Sequence, residues 1–195
     1  ERMAARPFAF YRGTAALMAA DLAAGPSSGI LVASCGDAHV ANFGFYASPQ
    51  RTLVFDLNDF DEAAWAPWEW DLKRLVTSVI IGGRATNRGD SFIRKAALHT
   101  VETYCWSLRR ALDLTPTERY FTHLDAEAGL GLLDSRSRKT LQRAIKSARR
   151  RTGERAVTKL TTTDEDGRMH FVLAPPRMTA LEDEARQGNE DYLDQ

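Results

Sequence analysis

Between Asp56 and Asp71 the chain carries six carboxylates, at positions 56, 59, 61, 62, 69 and 71, and neither Lys nor Arg. Unpaired carboxylates repel one another and resist removal from water, so the stretch must either surround a cation or keep its acids hydrated at the surface. The opposite charge lies far along the chain. Residues 136–159 hold ten basic side chains against one acid, Glu154, and the 26 Lys and Arg of the whole sequence balance its 26 Asp and Glu. Neutrality is therefore reached by segregation. The basic segment can face an anionic substrate, a nucleic-acid backbone or acidic parts of the same molecule. It carries little aromatic interleaving for base stacking, so a solvated or intramolecular face is the expectation and nucleic acid is not expected as a partner.

With 195 residues, 44% of them hydrophobic, the chain can build one ordinary domain or a large part of a two-lobed one. Two cysteines, Cys35 and Cys105, are too few for a disulfide framework or a cysteine zinc site. No apolar run nears the roughly 18 residues of a membrane span, and the start has no signal-peptide pattern. A cytoplasmic protein without a membrane partner is expected.

Residues 7–13 (PFAFYRG) are aromatic and punctuated, and Thr14 can cap an Ala-rich helix that ends before Gly25-Pro26. The apolar run 29–35 (GILVASC) has the length and β-branching of a buried strand. A polar loop follows over 36–42, and 43–46 with 52–57 read as a hairpin around Ser48-Pro49-Gln50. From Trp68 the period becomes helical, with Leu72, Leu75, Val76, Val79 and Ile80 on one face until Gly82-Gly83 ends or kinks the helix. A longer helix, capped by Asp90 or Ser91, runs to Leu112. A short helix begins at Pro116 and breaks by 129–131, a basic helix spans 137–151, and 157–160 with 169–173 form a late hairpin around Asp164-Glu165-Asp166-Gly167.

The polar loop holds the first chemical signal. In Gly36-Asp37-Ala38-His39-Val40-Ala41-Asn42 the Asp precedes the Asn by five positions, the separation by which a protein-kinase catalytic loop turns a carboxylate to the acceptor hydroxyl and an amide oxygen to magnesium. The second is the acidic cluster Asp56-Leu57-Asn58-Asp59-Phe60-Asp61-Glu62 at a strand end, where phosphoryl transfer needs another magnesium-bearing carboxylate. CGDAHVANFG resembles the H-G-D-x-H-x-x-N loop of aminoglycoside phosphotransferases and choline-kinase-like enzymes, with Cys35 in place of the usual His. Asp59-Phe60-Asp61-Glu62-Ala63, then Pro67 and Trp70-Asp71-Leu72, is similar to their D-F-x-x-A…G-D-P…Y-D-L-A block. The ordered motifs PFAFYRG, GDAHVANFG, VFDLNDFDE and PWEWDLKRL more closely resemble the bacterial family called domain of unknown function 2252.

That resemblance implies an α+β, protein-kinase-like catalytic lobe of the C-terminal type over 1–180, mostly helical with short β-hairpins around the catalytic loop, and an acidic linker over 181–195. It implies magnesium and ATP as cofactors and an acceptor bearing a hydroxyl or amine. Asp37 is then the catalytic base, His39 a loop-organising or phosphate-contacting residue, and Asn42 a magnesium ligand. The magnesium carboxylate is Asp59 or Asp56: the first precedes Phe60 as the motif requires, the second directly follows the apolar Leu53-Val54-Phe55. Gly36, Asp71 and Arg12 support the site, Asp71 by bonding the loop backbone and Arg12 by pairing with a site carboxylate, unless it is a plain surface Arg. No glycine-rich phosphate loop of the G-x-G-x-x-G or P-loop type occurs in the chain. The family pattern puts such a loop and a Lys downstream, so the chain is expected to be a fragment, inactive alone, whose partner is the remaining lobe of the same protein. A non-catalytic, pseudokinase-like or anion-binding module is the alternative. A metal-dependent phosphoesterase, suggested by Asp37-Ala38-His39, is a lesser one. Trp65, Trp68 and Trp70 line a cleft or anchor a loop, and His99, His123 and His170 show no metal-ligand spacing.

Overall fold

The computed structural model describes residues 6–50, 52–124, 130–131, 133–150 and 153–174. The expected acidic linker and Gly129 lie outside the described residues. The chain divides into two compact units, Glu1–Leu141 and Gln142–Gln195. The architecture is mixed α+β, with seven α-helices and three small antiparallel two-stranded sheets among the described residues. No helix among them is long and apolar enough to cross a membrane.

The first unit opens with α1 (Pro7–Arg12) and α2 (Ala15–Ala23). The aromatic 7–13 segment carries no apolar period of its own, yet Pro7 sits at the start of α1, where its missing N–H costs nothing and its fixed φ suits a helix. Strand β1 (Leu31–Ser34) pairs with β4 (Ala64–Pro67), Leu31 opposite Pro67 and Ser34 opposite Ala64. Strand β4 was not foreseen, since two tryptophans and a proline in an acidic context carry no clear strand period. Its partner is shorter than the run 29–35 and is not a buried strand: Leu31 is 58% exposed and only Ser34 turns inward. Residues 35–63 therefore form a single excursion closed at its base by β1 and β4. Within it lies the expected hairpin, β2 (Phe43–Ala47) against β3 (Leu53–Leu57), with Phe43 opposite Leu57 and Gly44 opposite Asp56. A further bond from Asn58 N–H to the Asn42 carbonyl, 3.1 Å, ties the loop's end to the start of the acidic turn.

Helix α3 (Glu69–Ala85) runs through Gly82-Gly83 instead of stopping there. The glycines serve packing. A Cβ on Gly83 would stand 2.8 Å from Ile93 Cγ1, so its absence lets α4 (Asp90–Leu112) lie close against α3. The cap of α4 is Gly89, one residue before the expected Asp90, and Asp90 falls in the first turn, where its charge suits the helix dipole. Short α5 (Pro116–Phe121) opens on a reciprocal capping box: Glu118 N–H donates to Thr115 Oγ1 at 3.3 Å and Thr115 N–H to Glu118 Oε2 at 2.8 Å.

The basic helix α6 (Ser135–Arg149) is capped by Asp134, whose Oδ1 accepts from the N–H groups of Arg136 and Ser137. Residues 157–160 are the last turn of α7 (Gly153–Leu160), not a strand, because Val157 and Leu160 share a helical face at spacing three. Thr161 Oγ1 donates back to the Val157 carbonyl, and the hairpin starts only there, β5 (Thr161–Thr163) against β6 (Met169–Phe171). Its turn is held by Asp164, which accepts from Asp166 and Arg168 N–H, and by Gly167 at φ 78°.

Ile93, 6% exposed, is the side chain that fills the space left by Gly83. Truncation Ile93→Ala is expected to lower unfolding free energy by about 2–5 kcal/mol with an unchanged denaturant slope, measured by urea denaturation.

Candidate active site

Four polar side chains of the segment 34–42 lie in the interior: Ser34, Asp37, His39 and Asn42 are all buried. Buried polar groups need partners, and α3 supplies them from one face. Asp71, Arg74 and Ser78 recur at spacings of three and four, so they stand in a row along the helix. Asp71 accepts the Cys35 N–H at Oδ2, 2.7 Å, and the Gly36 N–H at Oδ1, 3.0 Å. Ser78, fully buried, accepts the Val40 N–H at 3.0 Å and donates to the Leu75 carbonyl. Between them Arg74, 2% exposed, donates from Nε to Asp37 Oδ1 at 2.7 Å.

Arg74 also reaches α1. Its Nη2 donates to the Tyr11 carbonyl at 2.7 Å, its guanidinium lies 4.0 Å from the Tyr11 ring centroid, and the Tyr11 hydroxyl donates to the Arg74 carbonyl at 2.7 Å. Burial raises the Tyr11 phenol above its ordinary range, with the Arg74 charge opposing. Gly36 has φ 81°, and a Cβ there would collide with the backbone carbonyl of Glu62. Only glycine lets the acidic turn close over the loop at this point.

One polar cavity of about 350 Å³ collects most of the predicted site residues: Asp37, His39, Asn42, Asp59 and Arg12 line it, together with Asp61 and Glu62. Gly36 and Asp71 shape the loop from behind, and Asp56 is not among the lining residues. Asp56 projects from β3 opposite Gly44, and its Oδ1 accepts the Leu57 N–H. Asn42 Nδ2 donates to the Asp37 carbonyl at 2.9 Å and lies 3.5 Å from Asp37 Oδ2. The nitrogen of the amide is thereby committed and its oxygen is left for an electropositive partner. Asp59 Oδ1 receives only a long 3.4 Å bond from the Asp61 N–H. Hard oxygen donors of this kind fit magnesium, which keeps several waters and takes few protein ligands. Among the described residues there is no group of three or more His, Cys, Asp and Glu placed to hold a metal ion.

His39 is 2% exposed. Its Nε2 stands 3.5 Å from Asp37 Oδ2, its ring is tilted against Phe8, and its Nδ1 is buried without a hydrogen-bond partner. Cys35 is a free thiol pushed up to about 11, chiefly by burial and then by the Asp71 charge, so it is a protonated packing group and not a nucleophile. Arg12, at the end of α1, lines the same cavity, and its guanidinium forms no ion pair with a described carboxylate. Of the tryptophans, Trp65 is 77% exposed, whereas Trp68 stacks on Tyr104 and donates from Nε1 to Ser28 Oγ, anchoring the base of the excursion. Val40, on the same loop, lines a separate apolar cavity of about 570 Å³ with Phe43, Phe55, Leu75 and Val79.

Arg74, Ser78 and Tyr11 escaped the sequence reading. Lys73-Arg74 reads as an ordinary basic pair on an amphipathic helix. The available signal was the row Asp71, Arg74, Ser78 bordering the apolar face, since a charge at the edge of a buried face requires a buried counter-charge.

The family model described as "Uncharacterized protein conserved in bacteria", domain of unknown function 2252, matches residues 1–195. No curated protein and no solved structure matches the chain.

Replacing Arg74 by Met strands the buried Asp37 carboxylate and is expected to cost about 3–5 kcal/mol of stability. Adding Asp37→Asn should recover a large part, so a double-mutant cycle read by urea denaturation will show strong coupling. Folding raises Cys35 from 9.0 to about 11, so the unfolded thiol loses its proton first. Stability is accordingly retained below pH 9 and falls as pH rises from about 9 to about 11. A thermal-denaturation series over that window should fall less steeply in Cys35→Ala.

Proposed function

The chain belongs to the bacterial family described as domain of unknown function 2252, and from that premise we propose a magnesium-dependent phosphotransferase with a kinase-like catalytic lobe, moving a phosphoryl group from ATP to an acceptor hydroxyl or amine. The observation that carries this reading is the convergence of Asp37, Asn42 and Asp59 on one polar cavity, in the spacing and order of a phosphotransferase site. Asp59 is favoured over Asp56 as the metal carboxylate because it lines that cavity.

In this reading Arg74 takes one oxygen of Asp37 and leaves Oδ2 for the acceptor. The acceptor O–H or N–H donates its proton to Oδ2 as its lone pair forms a bond to the γ-phosphorus, and the bond from phosphorus to the β–γ bridging oxygen breaks to release ADP. Asn42 and Asp59 would hold magnesium, which when bound neutralises charge on the phosphate oxygens. The Asp71 bonds fix the loop backbone, so the positions of Asp37 and Asn42 are set before any ligand arrives.

A binding-only reading draws on two features, the absence of a glycine-rich phosphate loop in these 195 residues and the basic segment 136–159. Turnover of magnesium-ATP by the complete gene product separates the two. Asp37→Ala and Asp59→Ala are each expected to lower turnover a hundredfold to ten-thousandfold, roughly the range of a lost base or phosphate-positioning metal, while Asp56→Ala stays within a few fold of the parent. Binding of magnesium-ATP without turnover would establish the binding-only reading.

A further inference from the structure

The cavity contains a cation with no partner among the described residues. Arg12 ends α1 and lines the polar cavity, yet its side chain bonds to no described carboxylate, although Asp37, Asp59, Asp61 and Glu62 line the same space. Asp37 is matched by Arg74; the other three carboxylates and Arg12 are matched by nothing described. The backbone that carries Arg12 is not loose. Arg74 Nη2 donates to the Tyr11 carbonyl, with the Arg12 carbonyl 3.5 Å away, and the Tyr11 hydroxyl is tied to α3. His39, lining the same cavity, keeps a buried ring nitrogen without a partner.

We infer that Arg12 is the phosphate-binding cation of this cavity, and that the group it takes is a phosphate or diphosphate carried in with a divalent ion. Asp59, Asp61 and Glu62 outnumber Arg12 in the cavity, so a bare anion would be repelled, and an anion that brings its own divalent ion offsets part of that repulsion. A metal ion at Asn42 and Asp59 would carry the diphosphate into the space that Arg12 lines, where the guanidinium can make a charge-assisted, two-pronged contact to phosphate oxygens. The inference concerns the site of the proposed phosphotransferase but needs only the phosphate group, not the transfer.

Isothermal titration of the full chain with inorganic pyrophosphate in the presence of magnesium tests it without a nucleoside. Arg12 is exposed, so Arg12→Gln leaves the fold intact, as circular dichroism will show. Affinity is expected to fall about tenfold to a hundredfold in Arg12→Gln, with partial recovery in Arg12→Lys. Equal pyrophosphate affinity in Arg12→Gln, or no binding by the parent protein, overturns the inference. Arg12-dependent pyrophosphate binding in a gene product that never turns over ATP leaves the phosphate site standing and removes the transferase. Turnover with Arg12-independent binding does the reverse.

Discussion

One buried side chain of α3, Arg74, holds two other parts of the chain at once: its Nε donates to Asp37 Oδ1 in the loop at 2.7 Å and its Nη2 to the Tyr11 carbonyl in α1 at 2.7 Å. The guanidinium is planar and offers its donors in fixed directions, so one side chain can serve Asp37 in the loop and the Tyr11 carbonyl in α1 while its own backbone stays in α3. Lys could not do this, having a single point of charge. The desolvation of two charged groups is offset only because each has additional partners: Asn42 and His39 stand near the second oxygen of Asp37, and the Tyr11 ring lies against the guanidinium. Arg74 thus links the loop and α1 through α3, beside the bonds that Asp71 and Ser78 make to the loop and the Tyr11 hydroxyl makes to α3.

The acidic stretch is resolved by division. Glu69 and Asp71 occupy the first turn of α3, where they suit the helix dipole and bind backbone: Glu69 receives the Ser28 N–H, and Asp71 receives Cys35 and Gly36. The Ser28 bond holds Glu69 below the usual carboxylate range. Asp56 is turned to its own backbone on β3. Asp59, Asp61 and Glu62 remain around the cavity. Six like charges in a row are therefore three structural acceptors and three groups left for a ligand.

The contents of the cavity could be read from residue types, because the spacing of Asp37 and Asn42 and the density around Asp59 are local. What could not be read was the scaffold that holds them. Strand β4 owes its existence to pairing with β1 across residues 35–63, and a strand defined by a distant partner carries little local period. Gly82-Gly83 looked like a helix stop because glycine is a poor helix former, but contact with Ile93 outweighs that propensity. Arg74 was overlooked for the same reason: its importance lies in Asp37, thirty-seven positions away.

The closed excursion between β1 and β4 has a consequence for how the molecule reaches its working form. Loop-closure entropy rises only with the logarithm of length, so bringing the two strands together over 35–63 is inexpensive in chain entropy, but it gains little until α3 docks against the loop. Pairing of the strands and docking of α3 therefore reinforce each other, since Asp71, Arg74 and Ser78 hold the loop whose ends β1 and β4 close. Substitutions in β1 or β4 can therefore alter the cavity without changing any residue that lines it.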